Sequence, residues 1–169
     1  MNRTKTLVLL ATLTAVLVWA GDGSHDENLA FEHVVELLGA DLAEIVRDLS
    51  LALYRRGHEI AEPRGIIIAD TKFEFGVDER TRRLVLIDEV LTPDSSRFWP
   101  KEEHAAGRPQ RSFDKQVVRD YLESRGWDKC PPAPRLPQEV VAHTRARYLE
   151  ALGRLTGLSS ESKEDGPCR

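Results

Sequence analysis

The sequence of 169 residues is poor in cysteine and histidine, on which disulfide frameworks and zinc sites depend. Cys130 stands in a proline-rich stretch and Cys168 in a polar tail, so we expect no disulfide framework. The five histidines show no spacing that is typical of a zinc site. So little cysteine favours a reducing compartment such as the cytoplasm.

A glycine-rich phosphate loop is also missing from the first part of the chain. Within residues 1–64 glycine occurs only at positions 21, 23, 39 and 57. The net charge of −4 excludes the strongly basic surface that nucleic-acid-binding domains present. There is no internal repeat. Length and composition therefore predict one soluble domain that binds no nucleic acid.

The longest apolar run lies near the N-terminus, between Leu7 and Ala20. It follows Arg3 and Lys5 and has the form of a secretory signal peptide, although it is short for a transmembrane helix. Two interpretations of residues 1–24 stay open. Either a gene fragment acquired an unrelated N-terminus, or the start was misassigned downstream of a frameshift, and we favour the second.

Four segments have the apolar periodicity of amphipathic helices, at residues 27–39, 41–60, 114–125 and 138–155. We expect the third helix to be capped near Ser112 and closed by Gly126. Pro63 and Gly65 interrupt the helical pattern and admit a β-hairpin over residues 65–90. The predicted fold is α+β, with helices packed on a small antiparallel sheet.

The hairpin places ionisable residues in a largely apolar stretch, namely Asp70, Lys72, Glu74 and Asp88. The first three alternate with other residues, so their side chains share one face of an extended strand. We expect Phe75 to pair with Ile87, which puts Glu74 directly opposite Asp88. Two facing carboxylates destabilise a strand pair unless a divalent cation lies between them. The alternative is a solvated polar face.

A polar segment follows the hairpin, where Pro93 begins a turn and Ser95, Ser96 and Arg97 come next. Arginine binds phosphate through a planar fork, and serine hydroxyls add neutral donors. This tripeptide could therefore receive a phosphate beside a metal. The alternative is an ordinary loop.

A series of motifs in this region carries a family resemblance. They are IADTKFEFG at residues 68–76, LIDEV at 86–90, TPDSSRFW at 92–99, SFDKQVVRDYL at 112–122, GWDK at 126–129 and the Thr-Gly pair at 156–157, with HDEN upstream at 25–28. The chain resembles the phosphoribosylaminoimidazole-succinocarboxamide synthases, or SAICAR synthetases, over residues 25–157. The resemblance covers the C-terminal half of such an enzyme, and the lobe that binds ATP is not recognised.

The resemblance implies an ATP-dependent ligase of purine biosynthesis, which joins L-aspartate to carboxyaminoimidazole ribonucleotide and uses Mg²⁺. It implies that Glu74 and Asp88 hold Mg²⁺ on the ATP phosphates, and that Lys72 and Asp70 face the reacting carboxylate as catalytic residues. The substrate-binding residues that it implies are Ser96, Arg97, Arg119 and Asp26. For Arg119, an ion pair with Glu123 is the alternative.

Three functions stay open. The first is the ligase, active when the missing lobe is restored or supplied by another chain. The second is a non-catalytic remnant that binds a phosphorylated ribonucleotide, and the third is an exported interaction protein. We expect a cytoplasmic location for the ligase and export if the leader is real. Uncovered apolar surface predicts self-association, and residues 158–169 are predicted to be a disordered tail.

Overall fold

The computed structural model describes residues 6–10, 17–19, 29–78, 80–88 and 90–158. These residues belong to two compact units. The first unit contains the described residues within 1–59 and 70–96, and the second contains those within 60–69 and 97–158. Over the parts of the chain given above, no helix combines the length and apolar character needed to cross a membrane.

The helices lie close to the four predicted segments. They are α1 (Phe31–Leu38), α2 (Ala40–Ala61), α3 (Gln116–Ser124) and α4 (Gln138–Thr156). Gly39 separates α1 from α2 because it adopts φ +82° while its N–H donates to the carbonyl of Val35 at 2.8 Å. Gly126 closes α3, as the sequence predicted, and its N–H donates to the carbonyl of Glu123.

A five-stranded sheet is built around one long strand, β3 (Ile66–Val77). The other strands are β1 (Thr6–Leu10), β2 (Leu17–Trp19), β4 (Leu84–Ile87) and β5 (Ser96–Pro100). Both β1 and β4 pair with β3 in the antiparallel sense, β2 extends the sheet beyond β1, and β5 also pairs with β3. The predicted α+β class is confirmed. The strands β1 and β2 fall in the apolar N-terminal run, where we predicted none.

The hairpin register differs by one residue from the predicted register. Phe75 pairs with Leu86 and Glu74 with Ile87, so the prediction that Glu74 lies directly opposite Asp88 is wrong. The turn explains the difference. The N–H of Asp78 donates to the carbonyl of Arg83 at 2.9 Å. This bond shortens the turn, so each residue of β3 pairs with the residue of β4 one position before the expected one.

The core of the first unit lies between α2 and the apolar face of β3. Phe73, Phe75 and Val46 are buried, and partly buried residues such as Leu53 pack against them. Along β3 the side chains at 71, 73 and 75 are buried, whereas those at 72 and 74 are half-buried. The strand therefore has the apolar and polar faces that its alternating sequence predicted.

The core of the second unit contains Phe98 on β5 and Phe113 before α3, both buried. The N–H of Phe113 donates to the carbonyl of Phe98 at 2.8 Å. We expected a turn and loop at Ser95–Arg97, but β5 begins at Ser96. Burial alternates along β5, with Ser96 and Phe98 inside and Arg97 exposed, so the strand has a two-residue period that its polar residues obscured.

Candidate functional site

The polar face of β3 carries an ion pair between Lys72 and Glu74. Nζ of Lys72 lies 2.7 Å from Oε1 of Glu74, and the two side chains are 34% and 17% exposed. They stand two positions apart, so the pleat of the strand brings them to one face. Asp70, two positions earlier, is half-buried. The structure therefore brings together the lysine and one carboxylate of the predicted site.

Asp88 comes directly after β4 and is exposed. Its backbone has φ +66°, and Leu91, three residues later, has φ +54°. Left-handed backbone is uncommon outside glycine, and such conformations concentrate at functional sites and switch regions. This conformation ends β4, so the carboxylate of Asp88 does not continue the strand's alternation.

Tyr54 on α2 lies near Asp70 of the polar face, and the sequence analysis assigned it no role. Its ring packs against the Val46–Phe73–Phe75 cluster and stacks on His58, with centroids 6.3 Å apart. Burial raises the pKa of the Tyr54 phenol, and the negative charge of Asp70 raises it further. The phenol of Tyr54 therefore stays neutral beside the negative charge of Asp70.

The hydroxyl of Ser96 is directed to the protein interior. Its Oγ lies 2.7 Å from Oγ1 of Thr71, and both residues are almost fully buried, at 5% and 1% exposed. The N–H of Lys72 donates to the carbonyl of Ser95 at 3.0 Å. These bonds tie the segment before β5 to β3. The phosphate contact predicted for Ser96 stays a prediction, and its hydroxyl already has a partner in Thr71.

A cavity of about 440 Å³ lies in the second unit. Arg97 lines it, as do Trp99, His104 and Arg108. Trp99 stacks on His104 with ring centroids 5.6 Å apart and an interplanar angle of 18°. The cavity combines an aromatic wall with two guanidinium groups. The sequence analysis assigned a role only to Arg97, because Trp99 on β5 and His104 and Arg108 on the following loop show no regular spacing.

Helix α3 also lines the cavity, through Gln116 and Asp120. The amide of Gln116 donates to Oδ1 of Asp120 at 2.7 Å. Arg119 is exposed and is not among the residues that line the cavity. Over residues 90–158 it forms no ion pair with Glu123, the alternative raised from the sequence. Its predicted substrate contact stays a prediction.

The start of α3 is held by Asp114, which is buried. Oδ1 of Asp114 accepts the N–H of Gln116 at 2.6 Å, and Oδ2 accepts the hydroxyl of Ser112 at 2.6 Å. Lys115 occupies the N-cap position of α3 and makes no side-chain capping bond, so the cap predicted near Ser112 is not formed. Asp114 instead accepts the N–H of the first helical residue, Gln116. This arrangement fixes the start of α3 at the wall of the cavity.

Not every predicted site residue can be placed. Asp26 and the rest of the HDEN motif lie outside the residues that the structure describes. Within the described ranges, no group of three or more histidine, cysteine, aspartate or glutamate side chains is arranged to hold a metal ion. Glu74 and Asp88 are the pair proposed for Mg²⁺, and one or two carboxylates are what that ion usually takes from a protein.

A sequence model of the SAICAR synthetase family matches residues 8–134. One curated relative, the phosphoribosylaminoimidazole-succinocarboxamide synthase of Thermobifida fusca (strain YX), is 61% identical over 143 residues, which cover 82% of this chain and 46% of that protein. The enzyme of the same name from Geotalea uraniireducens (strain Rf4) is 56% identical over 135 residues, covering 80% of this chain and 45% of that protein.

Among solved structures, the SAICAR-synthase from Saccharomyces cerevisiae complexed with SAICAR has a TM-score of 0.73 and 34% identity. The similarity covers 94% of this chain and 61% of that one. The architecture is thus that of the SAICAR synthases. The chain belongs to the SAICAR synthetase family. It spans about half the length of the curated relatives it matches. The family match begins at residue 8, earlier than residue 25, and the predicted domain boundaries stay predictions.

Proposed function

We propose that this chain is part of an ATP-dependent ligase of purine biosynthesis, which joins L-aspartate to carboxyaminoimidazole ribonucleotide to give SAICAR, ADP and phosphate. The observation that carries the proposal is the Lys72–Glu74 pair on the polar face of β3, at 2.7 Å, within the motif of the family. The relatives that share 56% and 61% identity support it through their names. The yeast structure supports it through the product bound to that protein.

The chemistry suits the side chains of this face. Phosphoryl transfer depends on positioned charges more than on a covalent nucleophile. In the proposed reaction the ammonium of Lys72 offsets negative charge that develops on the reacting carboxylate of the ribonucleotide. Glu74 holds that ammonium in place through the ion pair, and Asp70 orients the imidazole nucleotide.

We assign Mg²⁺ to Glu74 and Asp88. Hard carboxylate oxygens suit this ion, which usually completes its coordination with water and phosphate oxygens. The metal would neutralise charge on the ATP phosphates. The left-handed backbone at Asp88, φ +66°, turns the chain at that carboxylate. The carboxylate of Glu74 is 17% exposed, and its ion pair with Lys72 holds it in place.

Substrate binding is assigned to Arg97, with Ser96, Arg119 and Asp26 as further predicted contacts. Arg97 lines the cavity of the second unit, and its planar guanidinium suits the phosphate of a ribonucleotide. We place the protein in the cytoplasm, where ATP and the ribonucleotide are found. We also expect it to need the lobe that binds ATP in its relatives, from a further segment or from another chain.

An isotope experiment tests the ligase. Carboxyaminoimidazole ribonucleotide labelled with ¹⁸O in its carboxylate is incubated with ATP, Mg²⁺, L-aspartate and the protein. An acyl phosphate intermediate transfers one labelled oxygen to the released phosphate for each SAICAR formed, and mass spectrometry detects it. SAICAR formation with unlabelled phosphate would contradict the acyl phosphate, and no SAICAR with any added lobe would contradict the ligase.

A second candidate rests on Arg97, which lines the cavity of the second unit. It is a non-catalytic protein that binds a phosphorylated ribonucleotide through Arg97. Calorimetry would then show ribonucleotide binding without turnover, and Arg97→Ala would abolish that binding. Arg145→Ala, on the exposed side of α4, is the matched control. Equal affinity of Arg97→Ala and wild type would remove this candidate.

A further inference from the structure

The loop of residues 101–111, which supplies most of the cavity wall, is tied to α4 at both ends. At its start, Glu102 accepts two hydrogen bonds from Arg154, with Nη2 to Oε1 at 2.6 Å and Nη1 to Oε2 at 3.1 Å. At its end, Nη2 of Arg111 donates to Glu150 at 2.9 Å, and Arg111 also pairs with Glu103. Glu150 and Arg154 are themselves paired at 2.9 Å, so one hub on α4 holds both ends.

Arg154 has further contacts that fix its guanidinium. Its Nη1 donates to the carbonyl of Gly65 at 3.3 Å, and its plane lies over Phe113 at 5.0 Å from the ring centroid. A Cβ at Gly65 would come within 3.2 Å of the same Nη1. Two parallel bonds to Glu102 need the planar fork of arginine, which lysine lacks.

The loop between these ends is closed by its own side chains. Oε1 of Gln110 accepts the N–H of Ala105 at 3.0 Å, and its Nε2 donates to the carbonyls of Ala105 and Arg108. Arg108 donates to the carbonyl of Glu103 at 3.2 Å. The loop is therefore held in one conformation by its own hydrogen bonds. Glu150 and Arg154 on α4 set its position relative to the rest of the cavity.

The charges of the cavity indicate an anionic ligand. Arg97 and Arg108 supply two positive charges, against one carboxylate from Asp120. That carboxylate accepts a hydrogen bond from Gln116 at 2.7 Å. Guanidinium groups recognise phosphate and carboxylate groups through the same fork geometry.

We propose that Glu150 and Arg154 are positioning residues that fix both ends of this loop, and thereby set the distance at which Arg97 and Arg108 receive a phosphate or carboxylate group. Neither residue lines the cavity, so both act through the loop. The proposal rests on the proposed ligase only for the source of that group, which is the ribonucleotide phosphate or L-aspartate.

The test measures binding, not turnover. Calorimetry gives Kd for inorganic phosphate and for L-aspartate with the full chain, Arg154→Lys, Arg154→Met and Glu150→Gln. The control is Arg145→Met, an exposed arginine on the same helix. We expect Kd to rise about tenfold in Arg154→Lys and Glu150→Gln, as is typical when a supporting group is lost. Arg154→Lys and Glu150→Gln should lower Tm less than Arg154→Met does, and the control should match the wild type in both Kd and Tm.

Each outcome decides the matter. If Arg154 only stabilises the fold, Arg154→Lys should recover both the affinity and the Tm that Arg154→Met loses, and this result would overturn the proposal. Wild-type protein that binds neither phosphate nor L-aspartate would overturn it as well. Binding of phosphate alone assigns the cavity to the ribonucleotide, and binding of L-aspartate alone assigns it to the amino acid. Absent ligase turnover with anion binding and its Arg154 dependence intact would count against the ligase only.

Discussion

The hydrogen bond between Thr71 and Ser96 can be measured with a double-mutant cycle. Its oxygens are 2.7 Å apart, and the residues are 1% and 5% exposed. Thr71→Val keeps the shape of the side chain but leaves a buried serine hydroxyl without this partner, which costs about 2 kcal/mol. Ser96→Ala should cost less, about 1 kcal/mol, because Thr71 keeps a weaker bond to the carbonyl of Ser95 at 3.4 Å.

The double variant should cost about 2 kcal/mol rather than the sum, so the coupling free energy is about 1 kcal/mol. Urea unfolding followed by circular dichroism measures each free energy, and a change of 1 kcal/mol shifts Tm by about 2–4 °C in a chain of this size. Thr144→Val is the control, because the only partner of its hydroxyl among the described residues is the helix carbonyl of Val140, at 2.8 Å. Additive effects, within about 0.5 kcal/mol, would refute the reasoning.

Three further predictions concern the second unit. Gly65→Ala should lower the free energy of unfolding by about 1–2 kcal/mol because Gly65 has φ +74°, and an unchanged urea midpoint would contradict this. Hydrogen bonds from Arg154 lower the pKa of Glu102 from 4.5 to about 2. The wild type should therefore have a higher Tm than Glu102→Gln above pH 4.5, and this difference should vanish as the pH falls towards 2. A Tm difference between the two proteins that does not change with pH would contradict this prediction. Asp114→Ala should cost about 1 kcal/mol by removing the hydrogen bond from the N–H of Gln116, the first residue of α3, and this loss should be seen as faster amide exchange at Gln116.

The sequence was most informative where side chains repeat with a simple period. Helical periodicity located the four α-helices of the described residues to within a few positions, and the two-residue alternation around Lys72 located the polar face of β3. Both signals are local, because they depend on which residues share a face of one element. The motif around residues 68–76 also led to the family, which the sequence comparisons confirmed.

The errors arose where individual hydrogen bonds, rather than the periodicity of apolar residues, decide the structure. The hairpin register depended on the hydrogen bond from Asp78 to Arg83, which a pattern of apolar residues does not contain. The cavity loop is held by bonds from Arg154 to Glu102 and from Arg111 to Glu150, which join residues 52 and 39 positions apart. No local sequence signal indicates such pairs, so the sequence did not predict how this loop is held.

Steady-state formation of SAICAR by wild type and Lys72→Met tests the central claim most directly. The protein is supplied with ATP, Mg²⁺, L-aspartate, carboxyaminoimidazole ribonucleotide and the part of a relative that this chain does not cover, with Arg145→Met as the control. Arg145 is exposed on α4, and its loss should leave kcat unchanged. We predict that Lys72→Met lowers kcat by about 10²-fold to 10³-fold, the cost of losing one group that stabilises developing charge. A Lys72→Met variant with the kcat of wild type would contradict the role of the polar face of β3.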